Sequence, residues 1–157
     1  MKPHDPIYAA IPLPEAQNVD ATAAYIATRS PISNPVARRA QAERKGNKEM
    51  MKKSDTFFNP PETIHEGNPQ EILDRKEKVV MLPMLIMQGG LDDNVIPEIQ
   101  EKFAATYRAA GGECQLEIFE GCEHEWTAVP SPAADRSHRM VMDFIARQLK
   151  ALQKKAA

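Results

Sequence analysis

Met84-Leu85-Ile86-Met87-Gln88-Gly89-Gly90-Leu91-Asp92-Asp93-Asn94-Val95 decides the reading of this chain, together with a second stretch further on, Gln115-Leu116-Glu117-Ile118-Phe119-Glu120-Gly121-Cys122-Glu123-His124. Each is a short apolar run that breaks into a glycine-containing loop, as a buried strand does at its end. Between them Pro97 opens a helical pattern in which Ile99, Phe103 and Tyr107 recur every four residues, and Gly111-Gly112 closes it. Strand, helix and strand in this order predict a parallel βαβ unit with a right-handed crossover. Parallel sheets collect ligands and chemistry at the carboxyl ends of their strands. Asp92 and His124 fall there, on the loops after two successive strands. Neighbouring strands lie about 4.8 Å apart, so the two side chains are within reach of each other. A carboxylate that accepts the Nδ1 proton of a histidine leaves Nε2 to take a proton from a nucleophile, which is two thirds of a catalytic triad.

Working outward, Ser131-Pro132 predicts the start of a final helix with a buried stripe of Val141, Phe144, Ile145, Leu149 and Leu152. Lys150, Lys154 and Lys155 complement the negative end of its dipole. Upstream, Val79–Leu82 reads as the approach to a strand over 83–88, because Pro83 has no N–H to give to a ladder. From Asn34 to Arg75 the pattern is of short polar helices. Asn34-Pro35 starts one that runs to Lys45, a second covers Lys48–Phe57, Pro60-Pro61-Glu62 opens a third turn, and Asn68-Pro69 caps a fourth ending near Arg75. Such segments fit a lid better than an independent core. Ala21–Thr28 is apolar and short, and reads as a further strand. Residues 1–20, with Pro3, Pro6, Pro12 and Pro14, read as a connecting loop. The expected organisation is therefore 1–33 as loop and first strand, 34–76 as a helical cap excursion, and 77–157 as the α/β core.

Composition narrows the function classes. With 157 residues, one domain is the default, and a chain of this size buries a core. A net charge of −2 supplies no attraction for nucleic acid or an anionic membrane, so neither is expected as a partner. No apolar run reaches the roughly 20 residues of a membrane span, and Met1-Lys2-Pro3-His4 does not begin a signal peptide, which makes the cytoplasm the expected location. Cys114 and Cys122 are separated by extended chain and are expected as free thiols. Cys122, Glu123, His124 and Glu125 lack a second close ligand pair, so no metal is expected, and no cofactor. The cluster Arg38, Arg39, Arg44, Lys45 and Lys48 shares its helices with Glu43 and Glu49 and reads as a solvated face. His4, His65 and His138 have no acid at a strand end beside them.

The run Gly89-Gly90-Leu91-Asp92-Asp93-Asn94-Val95-Ile96-Pro97, then Phe103, Tyr107 and Ala110-Gly111-Gly112, then Phe119-x-Gly121-x-x-His124-x-Trp126, resembles the C-terminal third of an α/β-hydrolase. The esterase and lipase-like members are the most similar. Their acid loop reads Gly-x-x-Asp-x-x-Val/Pro and their base loop Gly-x-x-His-x-Phe/Trp. The likeness covers 83–150 closely. Ala21–Pro35 is similar to the strand after the nucleophile helix, and 34–75 to the cap excursion. The resemblance implies the last three parallel strands of a three-layer α/β sandwich, a serine hydrolase of carboxylic esters, Asp92 as acid, His124 as base and Trp126 as a substrate contact. Asp93 is one residue out of register for the acid.

In the family the nucleophile elbow and the oxyanion hole lie upstream of everything matched here. No Gly-x-Ser-x-Gly occurs in these 157 residues. The expectation is that the chain is inactive alone, and that it self-associates or takes a complementing N-terminal segment at its open sheet edge. Two other readings stay open: a non-catalytic binding or assembly module on the same scaffold, and an enzyme whose nucleophile is Ser30 or Ser33.

Overall fold

The computed structural model describes residues 23–156. The expected loop over 1–20, and Ala21 and Thr22 of the expected first strand, lie outside the described residues. Three strands, β1 (Ile26–Arg29), β2 (Met84–Gly89) and β3 (Cys114–Phe119), form one parallel sheet in the order β1-β2-β3. Between β1 and β2 come four helices: α1 (Pro35–Arg44), α2 (Lys48–Phe57), α3 (Thr63–Glu66) and α4 (Pro69–Asp74). Helix α5 (Pro97–Ala109) links β2 to β3, and α6 (Pro132–Ala156) follows β3.

Strand β2 is buried along its whole length, as its unbroken apolar run requires when both faces are covered. Successive side chains point to opposite faces. Met84 and Ile86 therefore join Phe103, Ala104 and Tyr107 of α5 with Leu73 and Cys114, while Leu85 and Met87 pack with Phe119 and with Phe144 of α6. The sheet is the middle of three layers, and these strands and helices make a partial α/β-hydrolase sandwich.

Helix ends follow their sequence signals. Asn34, Asn47 and Asn68 each accept a backbone N–H of the helix they precede. Ser131 Oγ accepts from Ala134 N–H at the start of α6. Gly111 takes φ +89 just past α5, a conformation that side chains disfavour. Beside it, a Cβ on Gly112 would lie 2.2 Å from the Tyr107 ring, so Gly112 does not admit a side chain without movement of that ring.

Four expectations are corrected. The first strand is Ile26–Arg29, displaced from Ala21–Thr28, because its only partner among the described residues starts at Met84, opposite Ile26. The second begins at Met84 and extends to Gly89: Pro83 offers its carbonyl to Ile26 N–H but has no N–H of its own. The third strand starts one residue early, at Cys114, where its register with Met84 begins. On α6, Leu149 and Leu152 are exposed, and the covered face is carried by Ala134, Ser137, Val141, Phe144 and Ile145. No helix among the described residues is long and apolar enough to cross a membrane.

Candidate active site

The loops after β2 and β3 touch directly. Gly90 N–H donates to Phe119 C=O, and Leu91 N–H to Cys122 C=O. Gly89 makes this approach possible, since a Cβ there would stand 2.5 Å from Glu123 O and 2.6 Å from Cys122 O. No real side chain survives at that distance. Gly121, at φ +73, turns the second loop.

Across this seam the Asp92 carboxylate and the His124 imidazole meet, with Oδ2 2.8 Å from Nδ1. A buried carboxylate only accepts, so Nδ1 carries the proton and Nε2 is the basic nitrogen. The Asp92 side chain is fully enclosed, whereas that of His124 is 33% exposed. The acid is thus shielded while the base remains approachable. Oδ1 of Asp92 accepts the N–H groups of Asn94 and Val95, each at 2.9 Å. Oδ2 also accepts Gln88 Nε2 at 3.0 Å. Burial opposes the charged form of Asp92, but the hydrogen bonds from His124, Val95, Ser30 and Gln88 outweigh it and hold the carboxyl below its usual pKa. Of these four the Ser30 contact is the loosest, since its buried Oγ meets no acceptor or donor in full hydrogen-bond geometry. Ser30 also sits at φ +41, an uncommon conformation for a residue with a side chain.

The neighbouring acid is differently placed. Asp93 is 80% exposed at its side chain and pairs with Lys45. Trp126 stacks on Phe119 with centroids 4.2 Å apart and packs against the core on the α6 side of the sheet. Ser33 donates to Gln100 Oε1 at 2.8 Å, which commits its hydroxyl to the contact between the chain before α1 and α5. Cys114 and Cys122 are both free thiols, and burial raises the pKa of Cys114.

The basic cluster is not one solvated face. Arg39 pairs with Asp55 of α2, Lys45 with Asp93, and half-buried Arg38 places Nε and Nη2 on Asn94 Oδ1 at 2.9 and 2.7 Å. Burial pulls the Arg38 pKa down, and Asp92 partly counters this. Sequence reasoning missed Gln88, Asn94 and Arg38 as part of the site, and named Ser30 only as an alternative nucleophile. A signal existed only for Gln88, a polar residue closing an otherwise apolar buried strand four positions before the acid.

The prolyl oligopeptidase family model matches residues 45–152, and the chain belongs to that family. No curated protein matches it. Among solved structures it is similar to Thermogutta terrifontis esterase 2 phosphoramylated by tabun, at 21% identity and a TM-score of 0.56, over 84% of this chain and 46% of that one. The paraoxon-phosphorylated form of the same esterase aligns at 23% identity and 0.47, over 55% and 32%. A puromycin-hydrolyzing peptidase of Mycobacterium tuberculosis aligns at 20% and 0.49, over 64% and 15%. The chain spans about a third of the length of the esterase chains first matched. The first of these three likenesses is one of fold. The family it belongs to is one of serine hydrolases.

Proposed function

We propose that these residues form the acid–base half of a serine-hydrolase centre that cleaves carboxylic esters. The 2.8 Å contact between Asp92 Oδ2 and His124 Nδ1 is the observation that supports this most strongly. In the proposed reaction a serine hydroxyl gives its proton to His124 Nε2 as it attacks the ester carbonyl. Asp92 stabilises the imidazolium that forms, and the proton passes to the leaving alcohol when the tetrahedral intermediate collapses. Backbone N–H groups hold the oxyanion. The serine and those donors come from sequence other than the 157 residues, which hold no Gly-x-Ser-x-Gly. Trp126, with one face on Phe119 and the rest part-exposed, borders the substrate, and residues 34–76 act as the cap. The free thiols of Cys114 and Cys122 accord with a cytoplasmic setting.

The missing strand pairs at β1. Among the described residues β1 is hydrogen-bonded to β2 alone, which leaves its other edge as a template for a complementing segment or a second copy.

The test is a chimera in which the N-terminal half of a related esterase, with its Gly-x-Ser-x-Gly elbow, precedes residue 23. Hydrolysis of p-nitrophenyl butyrate is expected, falling by about four orders of magnitude with Asp92→Asn. A folded but inactive chimera contradicts the proposal. Fluorophosphonate labelling of the chain by itself, lost in Ser30→Ala or Ser33→Ala, would favour the reading with an internal nucleophile.

A further inference from the structure

Helix α1 belongs to the excursion, yet it grips the loop that carries the acid. Arg38 contributes both prongs of its guanidinium to one oxygen, Asn94 Oδ1. Asn94 in turn donates its backbone N–H to Asp92 Oδ1 at 2.9 Å. About two helix turns further on, Lys45, the residue that caps the end of α1, reaches both the carbonyl and the carboxylate of Asp93 at 3.3 Å. One helix therefore holds the two residues that follow the acid.

The turn itself does not explain this arrangement. The Asp92 carboxylate already caps the N–H groups of Asn94 and Val95, so the turn closes without help from outside. Its near side is tied to the histidine loop by Gly90 and Leu91 N–H and to β2 by Gln88 Nε2, so what remains to be fixed is the tilt of its far side, Asp93-Asn94. A planar fork anchored on a half-buried helix position supplies that tilt, whereas an exposed lysine contact adds little by itself.

We propose that Arg38 is a positioning residue that, through Asn94, ties the helical excursion to the Asp92–His124 pair. The inference rests on the acid–base reading above and deepens it. The excursion then acts on the chemistry as well as on access: displacement of α1 loosens the acid, and a base no longer held loses its tautomer and its aim.

The experiment follows exchange of the His124 Nδ1 proton with water by nitrogen-15 edited NMR on the full chain, with amide exchange in β2 as the record of global stability. Arg38→Ala is expected to speed Nδ1 exchange about tenfold or more, the scale set by loss of hydrogen bonding to a charged group, while β2 amides are unchanged. Asn94→Ala keeps the backbone N–H and leaves α1 intact, and should produce a similar effect. The double variant should match either single one, because both remove the same link. Arg39→Ala, on the same helix but paired with exposed Asp55, is expected to change nothing.

Unchanged exchange in a folded Arg38→Ala protein overturns the inference, as do effects of Arg38→Ala and Asn94→Ala that simply add. If Arg38→Ala does not fold, Asn94→Ala decides by the same criterion. A wild-type chain with no protected Nδ1 proton removes the acid–base reading itself, and the inference with it. That outcome is distinct from a protected proton indifferent to Arg38.

Discussion

At the scale of single residues, burial and hydrogen bonding settle which of two adjacent acids is paired with the histidine. Asp92 is enclosed and accepts from His124, Gln88 and two backbone N–H groups, while Asp93 faces water beside Lys45. Because the folded pKa of Asp92 lies below its unfolded value, this carboxylate stabilises the fold fully above the unfolded pKa of about 3.9 and progressively less as pH falls through the folded one. Acid titrations of unfolding should therefore show a loss below about pH 4 that is reduced in Asp92→Asn. An equal slope in both proteins would mean that the charge on Asp92 contributes nothing. Replacing Gly89 by Ala places a methyl group on the Cys122 and Glu123 carbonyls, which must drive the two loops apart. The expected result is loss of the His124 Nδ1–H resonance with the helical circular dichroism retained, and an unaltered resonance contradicts it.

Among elements, β2 and its flanking helices were the most legible in sequence, since unbroken apolarity, a helix stripe and capping residues all act locally. The Asn34-Pro35 start needed nothing beyond cap chemistry, and Lys48–Phe57 forms at its expected bounds. The first strand was misplaced because its limits are set by Met84 on a partner far away in sequence, and no local pattern records that. The same reason hides Arg38: an arginine on a short polar helix looks solvated until a loop 56 residues on closes over it. On α6 the stripe was drawn too far. Helical spacing continues to Leu149 and Leu152, but the sheet they were expected to meet does not. Phe144, 1% exposed and joining α6 to Leu85 and Met87, carries the contact instead. Phe144→Ala should cost about 3–5 kcal/mol in denaturant unfolding, against a few tenths for Leu149→Ala. Equal costs at the two positions would show that α6 is seated differently.

For the whole molecule, the contact between Asp92 and His124 was readable because two glycine loops and their strand ends carry it in short motifs. No Gly-x-Ser-x-Gly occurs in the 157 residues. A chain with β1 paired on one side alone among the described residues should self-associate when expressed alone. Light scattering with size-exclusion chromatography measures this, and a monodisperse monomer that melts cooperatively would contradict it.

Everything proposed here depends on a shared proton between two loop side chains, and proton NMR of the imidazole reads it most directly. The wild-type chain should give a His124 Nδ1–H signal well downfield of the amide envelope, absent in His124→Ala and displaced upfield in Asp92→Asn. A spectrum without that signal, or one in which it persists unmoved after Asp92→Asn, would show that residue 92 does not hold the base.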